Sequence, residues 1–238
     1  MGTPADESLL VLSVDIGGSG IKAMVLDESG QPITERQRIE TPSYPNPPAV
    51  LDVIVELAKG QGDFNRVSVG FPGVVQNGVI KTAVNLNKEW IDYDLAKNLE
   101  ARLDAPVRVA NDADIQGYGA ISGQGVELVV TLGTGFGSAL FVNGHLVPNL
   151  EIAHHPFIKG KTYEQQLGRQ AMKKKGKKAW NRHLAQAIKN LEHLFNYDRL
   201  YMGGGETKRV KIDLSDNVEI VSNRAGILGG IALWRDRG

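Results

Sequence analysis

The sequence predicts an α/β fold made of two similar lobes facing a cleft. Two observations lead there. A pattern of strand, glycine turn, strand, turn, strand opens at Leu9 and recurs from Glu127. Segments with helical spacing follow each copy, as crossover helices covering a sheet would.

The first cycle begins with the apolar run Leu9–Val14, which ends at Asp15. Gly17, Gly18 and Gly20 make a turn, Ile21–Leu26 returns, and Gln31–Ile39 follows Asp27-Glu28-Ser29-Gly30 as a third strand. Thr41–Pro48 holds four prolines and reads as a loop. Ala49–Lys59 carries Val50, Ile54, Leu57 and Ala58 at helical spacing. Val67–Phe71 is a strand broken at Pro72-Gly73, Asp94–Leu103 a helix with Asp94 as N-cap, and Val107–Ala110 a strand ending at Asn111-Asp112.

The second cycle runs through the strand Glu127–Leu132, the turn Gly133–Gly137 and the strand Ser138–Val142. An Asn143-Gly144 hairpin turn then leads to His145–Val147. Trp180–Tyr197 is an amphipathic helix with Leu184, Ile188, Leu191 and Phe195 on one face. Leu200–Met202 is a strand before Gly203-Gly204-Gly205, Val218–Val221 another strand, and Ala225–Trp234 a closing helix. The expected lobes are residues 1–112, to which 223–238 return, and 113–222.

Bulk properties narrow the function. Of 238 residues, 42% are hydrophobic, and 27 basic residues balance 27 acidic ones. That balance argues against a general nucleic-acid or membrane binder. With no cysteine, thiol catalysis, disulfides and Cys-ligated zinc are excluded, and a reducing cytoplasm is the expected setting. The N-terminus lacks the basic and apolar regions of a signal peptide, and no apolar run approaches the roughly 20 residues of a membrane span.

Two glycine turns carry the chemistry. In Asp15-Ile16-Gly17-Gly18-Ser19-Gly20, backbone N–H groups can approach an anion unhindered by Cβ atoms, with Ser19 and Lys22 as further donors. Asp15 at the strand end can hold Mg2+ through water. Alone, this stretch reads equally as a tight hairpin. Thr131-Leu132-Gly133-Thr134-Gly135-Phe136-Gly137 occupies the same place in its own cycle, and a matched pair is more specific than either member. Neither is a Walker loop or a dinucleotide fingerprint, because both lead into a strand rather than a helix.

Asp15–Lys22, Asn111-Asp112, Thr131–Gly137 and Glu151-Ile152-Ala153-His154 together resemble the ROK family of sugar kinases, in order and over nearly the whole chain. Thr82–Trp90, His154-His155-Pro156-Phe157 and Asn223-Arg224-Ala225-Gly226 are similar to its polyphosphate glucokinase branch. The resemblance implies the two-lobed actin-like ATPase (ribonuclease H-like) fold, a glucose substrate and a homodimer. It makes Asp112 the general base and Asn111 a sugar ligand, although Asp112 read locally is as good a helix cap. Asp114 reads as a surface residue offsetting the helix dipole. The resemblance further assigns Glu151, His154, Glu164, Asn85 and Gly73 to the sugar, and Gly203 and Gly204 to the nucleotide side. It implies no zinc, since the family's zinc-binding cysteines are missing.

The donor is read from local charge. Ile158–Arg182 holds nine basic residues, Lys173, Lys174 and Lys175 among them, and one acid, Glu164. Such a run is usually a solvated loop, but a long polyanion would gain from it by counterion release. Inorganic polyphosphate is the expected donor, with ATP as a second, and Lys208, Arg209 and Lys211 could extend the path. The competing functions are a strictly ATP-dependent hexokinase and a sugar-sensing regulator. Family regulators carry a DNA-binding segment ahead of the kinase-like region, for which a first strand at Leu9 leaves no room.

Overall fold

The computed structural model describes residues 8–83, 86–222 and 225–235. The chain divides into two compact units, Met1–Ile115 with Gly226–Gly238, and Gln116–Ala225. The first contains β1 (Val11–Gly17), β2 (Gly20–Leu26), β3 (Gln37–Ile39), α1 (Pro47–Lys59), β4 (Arg66–Phe71), a small hairpin of β5 (Val75–Gln76) and β6 (Val79–Ile80), α2 (Leu95–Leu103), β7 (Val107–Asn111) and the start of α3 (Asp112–Tyr118). Its main sheet has the order β3-β2-β1-β4-β7. β2 and β3 join as antiparallel strands, while β1, β4 and β7 run parallel.

The side-chain period of two explains how this sheet is covered. Leu12, Val14 and Ile16 of β1 and Val67, Val69 and Phe71 of β4 share a core with Val50, Leu51, Ile54 and Leu57 of α1. The intervening positions face the C-terminal segment: Ser13 Oγ donates to Ile227 O at 2.7 Å and Ser68 Oγ to Gly230 O at 2.7 Å. On that face the Arg108 guanidinium lies 4.3 Å from the Trp234 ring centre.

The second unit contains β8 (Val126–Leu132), β9 (Phe136–Val142), β10 (His145–Val147), β11 (Pro156–Ile158), β12 (Lys161–Thr162), α4 (Tyr163–Leu167), α5 (Arg169–Phe195), β13 (Arg199–Gly203) and β14 (Val218–Ile220); α6 (Ala225–Leu228) follows. Its sheet order, β10-β9-β8-β13-β14, repeats the first unit's pattern of an antiparallel meander joined to parallel strands. Leu128, Val130 and Leu132 pack on Leu184, Ala187 and Leu191 of α5. Val129 packs with Ala139, Phe141 and Tyr201 on the other face. The α/β class and the repeated meander expected from sequence are present, and no described helix is long and apolar enough to cross a membrane.

Several expectations change. The third strand is only Gln37–Ile39, with one isolated bridge at Pro32, which has no N–H to offer a ladder. Pro47 and Pro48 open α1 rather than close a loop, behind an Asn46 cap whose side chain accepts from Ala49 N. The closing helix is four α-helical residues and then a 3-10 stretch at Gly229–Leu233, where glycines weaken the α form. The helix expected at Trp180–Tyr197 is longer and takes in the lysine run: α5 starts at Arg169 and is interrupted at Gly176 (φ 77, ψ 161).

Glu127 shows how a buried charge is held. It is fully buried and accepts from Ser122 N at 2.7 Å, Ser122 Oγ at 2.8 Å, Gly123 N at 2.8 Å, Gln124 N at 3.1 Å and Tyr201 Oη at 3.0 Å. Burial alone would raise its carboxyl, but these donors outweigh it and hold the group below the usual range. A folded value below the unfolded one means stability present above the ordinary glutamate range and lost as pH falls through the folded value. Glu127→Gln should cost about 3 kcal/mol near neutral pH. Urea unfolding should show the gap between wild type and variant closing as the pH is lowered.

Candidate active site

The glycine turns and Asn111-Asp112 lie at the carboxyl ends of strands, where ligands of open α/β sheets bind, and other candidates lie on short helices and on α5. In the first unit, Asp15 is paired in register with Gly70, and Phe71 with Asn111. A Cβ on Gly70 would lie 3.5 Å from the Asp112 Cα, so the end of β1 and the start of α3 both border this residue. Asp15 accepts from Lys22 Nζ at 2.7 Å across the β1–β2 pair. The first glycine turn is a two-residue connection, Gly18-Ser19, between paired Gly17 and Gly20. Thr41 Oγ1 donates to Gly17 O at 2.6 Å and Arg38 to Ser19 O at 2.5 Å, which ties down its carbonyl edge.

The competition between base and cap at Asp112 has a structural answer on the cap side. The Ala113 N–H donates to Asn111 Oδ1 at 2.8 Å, so Asn111 provides the cap contact and Asp112 is the first helical residue. Asn111 Nδ2 also donates to Gly73 O at 3.0 Å, tying the turn after β4 to the start of α3. Gly73 lies so close to Thr82 O that a Cβ would overlap it. Asp112 is half-buried, and partial burial is compatible with a reacting carboxylate. Asp114, expected at the surface, is 4% exposed: helix α3 turns that position inward. Asn85 lies outside the described residues, as do Asn223 and Arg224.

In the second unit, Thr131 Oγ1 accepts from Gly137 N at 3.1 Å and braces the second glycine turn. The turn's carbonyls receive the first N–H of α5, from Arg169 to Gly133 O at 3.0 Å. Glu151 and His154 flank a single 3-10 turn, Ile152–His154, whose three-residue repeat brings them to the same side. His154 Nε2 is 3.9 Å from Glu151 Oε2. Ser138 Oγ of β9 fixes the segment, donating to Leu150 O at 2.9 Å and accepting from Ile152 N at 3.3 Å.

Glu164 sits in α4, whose start is set by a capping box of Thr162 and Gln165. Its carboxylate occupies the space a Cβ on Gly135 would need. It is also close enough to Glu151 to act on it. The surrounding protein raises the Glu151 carboxyl above its usual range; His154 opposes that rise and Glu164 adds to it. Across the shortened spacing Glu164 reaches Glu151 and the glycine turn. His155 is exposed, with Nδ1 2.9 Å from Pro156 O.

The third glycine turn leaves β13 beside the end of β8, where Gly203 pairs with Thr131. Gly204 has φ 93, and a Cβ there would collide with Leu132 backbone, so glycine is required twice over. The next residue but one, Glu206, was not singled out from sequence. It is 4% exposed and binds Arg169 Nε at 2.8 Å and Arg209 Nε at 2.5 Å. Burial would raise its carboxyl, but the two arginines prevail and lower it. Through Arg169 it couples the third turn to the helix end that meets the second. Its position directly after three glycines was the only available signal. Lys173 and Lys174 are exposed on α5 and Lys175 is half-buried.

Mg2+ was the expected metal. A strand-end carboxylate such as Asp15 suits an ion that keeps most of its water and takes its other ligands from phosphate. Among the described residues no three His, Cys, Asp or Glu converge on a metal position.

Comparison with known proteins places the chain among relatives. Residues 11–151 match the ROK family. A polyphosphate glucokinase of Mycobacterium tuberculosis (strain CDC 1551 / Oshkosh) is 34% identical over 233 residues, spanning 91% of this chain and 88% of that protein. The crystal structure of an inorganic polyphosphate/ATP-glucomannokinase from Arthrobacter sp. strain KM superposes with a TM-score of 0.85 at 33% identity, covering 96% of this chain and 99% of the other. A ROK family glucokinase from Streptomyces griseus, solved with glucose and AMPPNP, shares the fold at a TM-score of 0.76 and 19% identity, over 94% and 98% of the two chains. With its matched glycine turns, its Glu and His pair and its two-lobed actin-like ATPase fold, this chain belongs to the ROK family.

Proposed function

We propose that the chain is a glucokinase that transfers the terminal phosphoryl group of inorganic polyphosphate to glucose, with ATP as a second donor. The observation that carries the reading is the packing of Glu164 against Gly135, with Glu151 and His154 beside it. It sets groups suited to sugar hydroxyls next to a turn suited to phosphate. The 34% identity to a polyphosphate glucokinase over 91% of the chain supports the donor. The retained turn at Gly203-Gly204 supports ATP as well.

In the proposed reaction the 6-hydroxyl oxygen of glucose forms a bond to the terminal phosphorus, and the adjoining phosphoanhydride P–O bond breaks. The hydroxyl proton goes to the Asp112 carboxylate. The products are glucose 6-phosphate and a polyphosphate one unit shorter, or ADP. Asn111, Asn85 and Gly73 are assigned to the sugar with Glu151, His154 and Glu164. Gly17, Gly18, Ser19, Gly20 and Lys22 of the first turn, and Thr131, Gly133, Thr134 and Gly135 of the second, are assigned to phosphate. Mg2+ held by Asp15 would neutralise phosphate oxygens. The working enzyme is further taken to be a cytoplasmic homodimer, for which light scattering after size exclusion is the check on assembly.

Asp112→Asn should lower kcat by at least about a hundredfold, the usual scale of general-base catalysis, with little change in the KM for glucose. A coupled glucose 6-phosphate assay reads this, and near-normal turnover would remove Asp112 as the base. Glu151 accepts from a sugar hydroxyl more strongly when ionised, and its carboxyl is raised. The KM for glucose should therefore begin to climb, on acidification, at a higher pH than an ordinary glutamate would give. Glu151→Gln should lack that acid limb. Replacing Lys173 and Lys174 with Gln should raise the KM for polyphosphate more than that for ATP; equal changes would mean that these lysines are not a donor track.

A further inference from the structure

The basic stretch divides into two populations. Lys173, Lys174, Lys177 and Lys178 are exposed, as residues on a solvated helix face are. Lys175 differs: its Nζ is buried and has no hydrogen-bond partner among the described residues. Beyond the break at Gly176, His183 Nδ1 is buried and unpartnered in the same way. The charged groups acting on Lys175 are Lys161, Lys159 and Lys174, and those acting on His183 are Lys175, Lys159 and Arg182. None of them is a carboxylate.

These groups come from separate elements. Lys159 and Gly160, with φ 56 and 66, form the tip of the β11–β12 hairpin, and Lys161 starts its second strand. Lys174 and Lys175 lie on the first part of α5, Arg182 and His183 on the part beyond Gly176. Burying an ammonium without a counter-charge is unfavourable, and like charges around it add to the cost. Burial, then the neighbouring cations, accordingly lowers both Lys175 and His183. Glu127 and Glu206, the buried anions of the same unit, are instead saturated with donors. A cationic cluster on which no carboxylate acts, in a unit whose two buried glutamates are paired, is matched to an anion from outside the chain.

We infer that Lys159, Lys161, Lys175 and His183 form a phosphate subsite that grips an interior phosphate of the polyphosphate chain while the reacting end lies at the Gly133–Gly135 turn. The inference rests on the polyphosphate reading above. Lys175 is six residues beyond Arg169, whose N–H meets the Gly133 carbonyl, a span of about 9 Å at 1.5 Å per helical residue. A linear phosphate polymer carries anions across that span. A nucleotide places its ribose and base after three phosphates and has no further charge to offer there. His183 adds a proton linkage: a bound phosphate favours the imidazolium that burial, Lys175, Lys159 and Arg182 disfavour. Binding therefore takes up a proton and weakens as pH rises through the value in the complex.

The test compares the full chain with a Lys159→Met/Lys161→Met double variant, whose altered positions are both exposed. Glucose 6-phosphate formation is followed with long-chain polyphosphate and with ATP. Binding of long-chain polyphosphate is titrated at several salt concentrations. The KM for polyphosphate should rise about tenfold, several times more than the KM for ATP. The slope of log affinity against log salt should become shallower by about 1.4, for two lost phosphate contacts. In NMR, the His183 ring should titrate at higher pH once polyphosphate is bound. Wild-type use of polyphosphate with an unchanged slope and KM in the double variant would overturn the subsite and leave the donor intact. Equal rises in both KM values would overturn it too. No use of polyphosphate by the wild type would overturn both readings.

Discussion

The constraint on which the rest of the structure depends is that each central sheet must hide both faces from water. β1, β4, β8 and β13 lie inside their sheets, so alternate residues along each strand need separate apolar partners. Helices supply one partner in each unit. The other comes from the C-terminal segment on the first sheet and from the Tyr118, Phe141 and Tyr201 side on the second. Once both faces are covered, only the strand ends remain for polar chemistry. The glycine turns, Asn111-Asp112 and the Gly203–Gly205 turn all lie there.

Electrostatics then separates structural charges from those open to a ligand. Glu127 and Glu206 are buried and amply supplied with donors, and both are held in the ionised state. Glu151 is pushed the other way, by the packing around it and by Glu164. Lys175 Nζ and His183 Nδ1 have no hydrogen-bond partner among the described residues. A carboxylate with five donors has nothing left for a substrate, whereas an under-compensated group gains when one arrives.

Much of the fold around the candidate site was legible because its signals are local. A glycine turn between two apolar runs, or Asn-Gly before a third, specifies a hairpin through backbone sterics confined to a few residues; Asn143 and Gly144 have φ 49 and 79, as that turn requires. Asp94 accepts from Lys97 N as a cap should. Other features were not legible. Asp114 occupies a position whose chemistry suits a solvated first turn, and only the packing of α3 shows that it is inward. Gly176 obscured one long helix by interrupting an otherwise strong run of helix formers. Glu206 looked like any acid near a turn until two arginines from different segments met it.

By itself the sequence determined the α/β class and the repeated meander, which rest on interactions within a few residues or on side-chain period along one strand. The family was legible as a resemblance of motifs, and that resemblance named the candidate base and sugar ligands. Tertiary structure alone decided that Glu164 reaches Glu151 and the second glycine turn, and which of nine cations in the basic stretch has its charge buried. Those outcomes depend on contacts between segments far apart in the chain, where desolvation and charge are set by neighbours that no local pattern names.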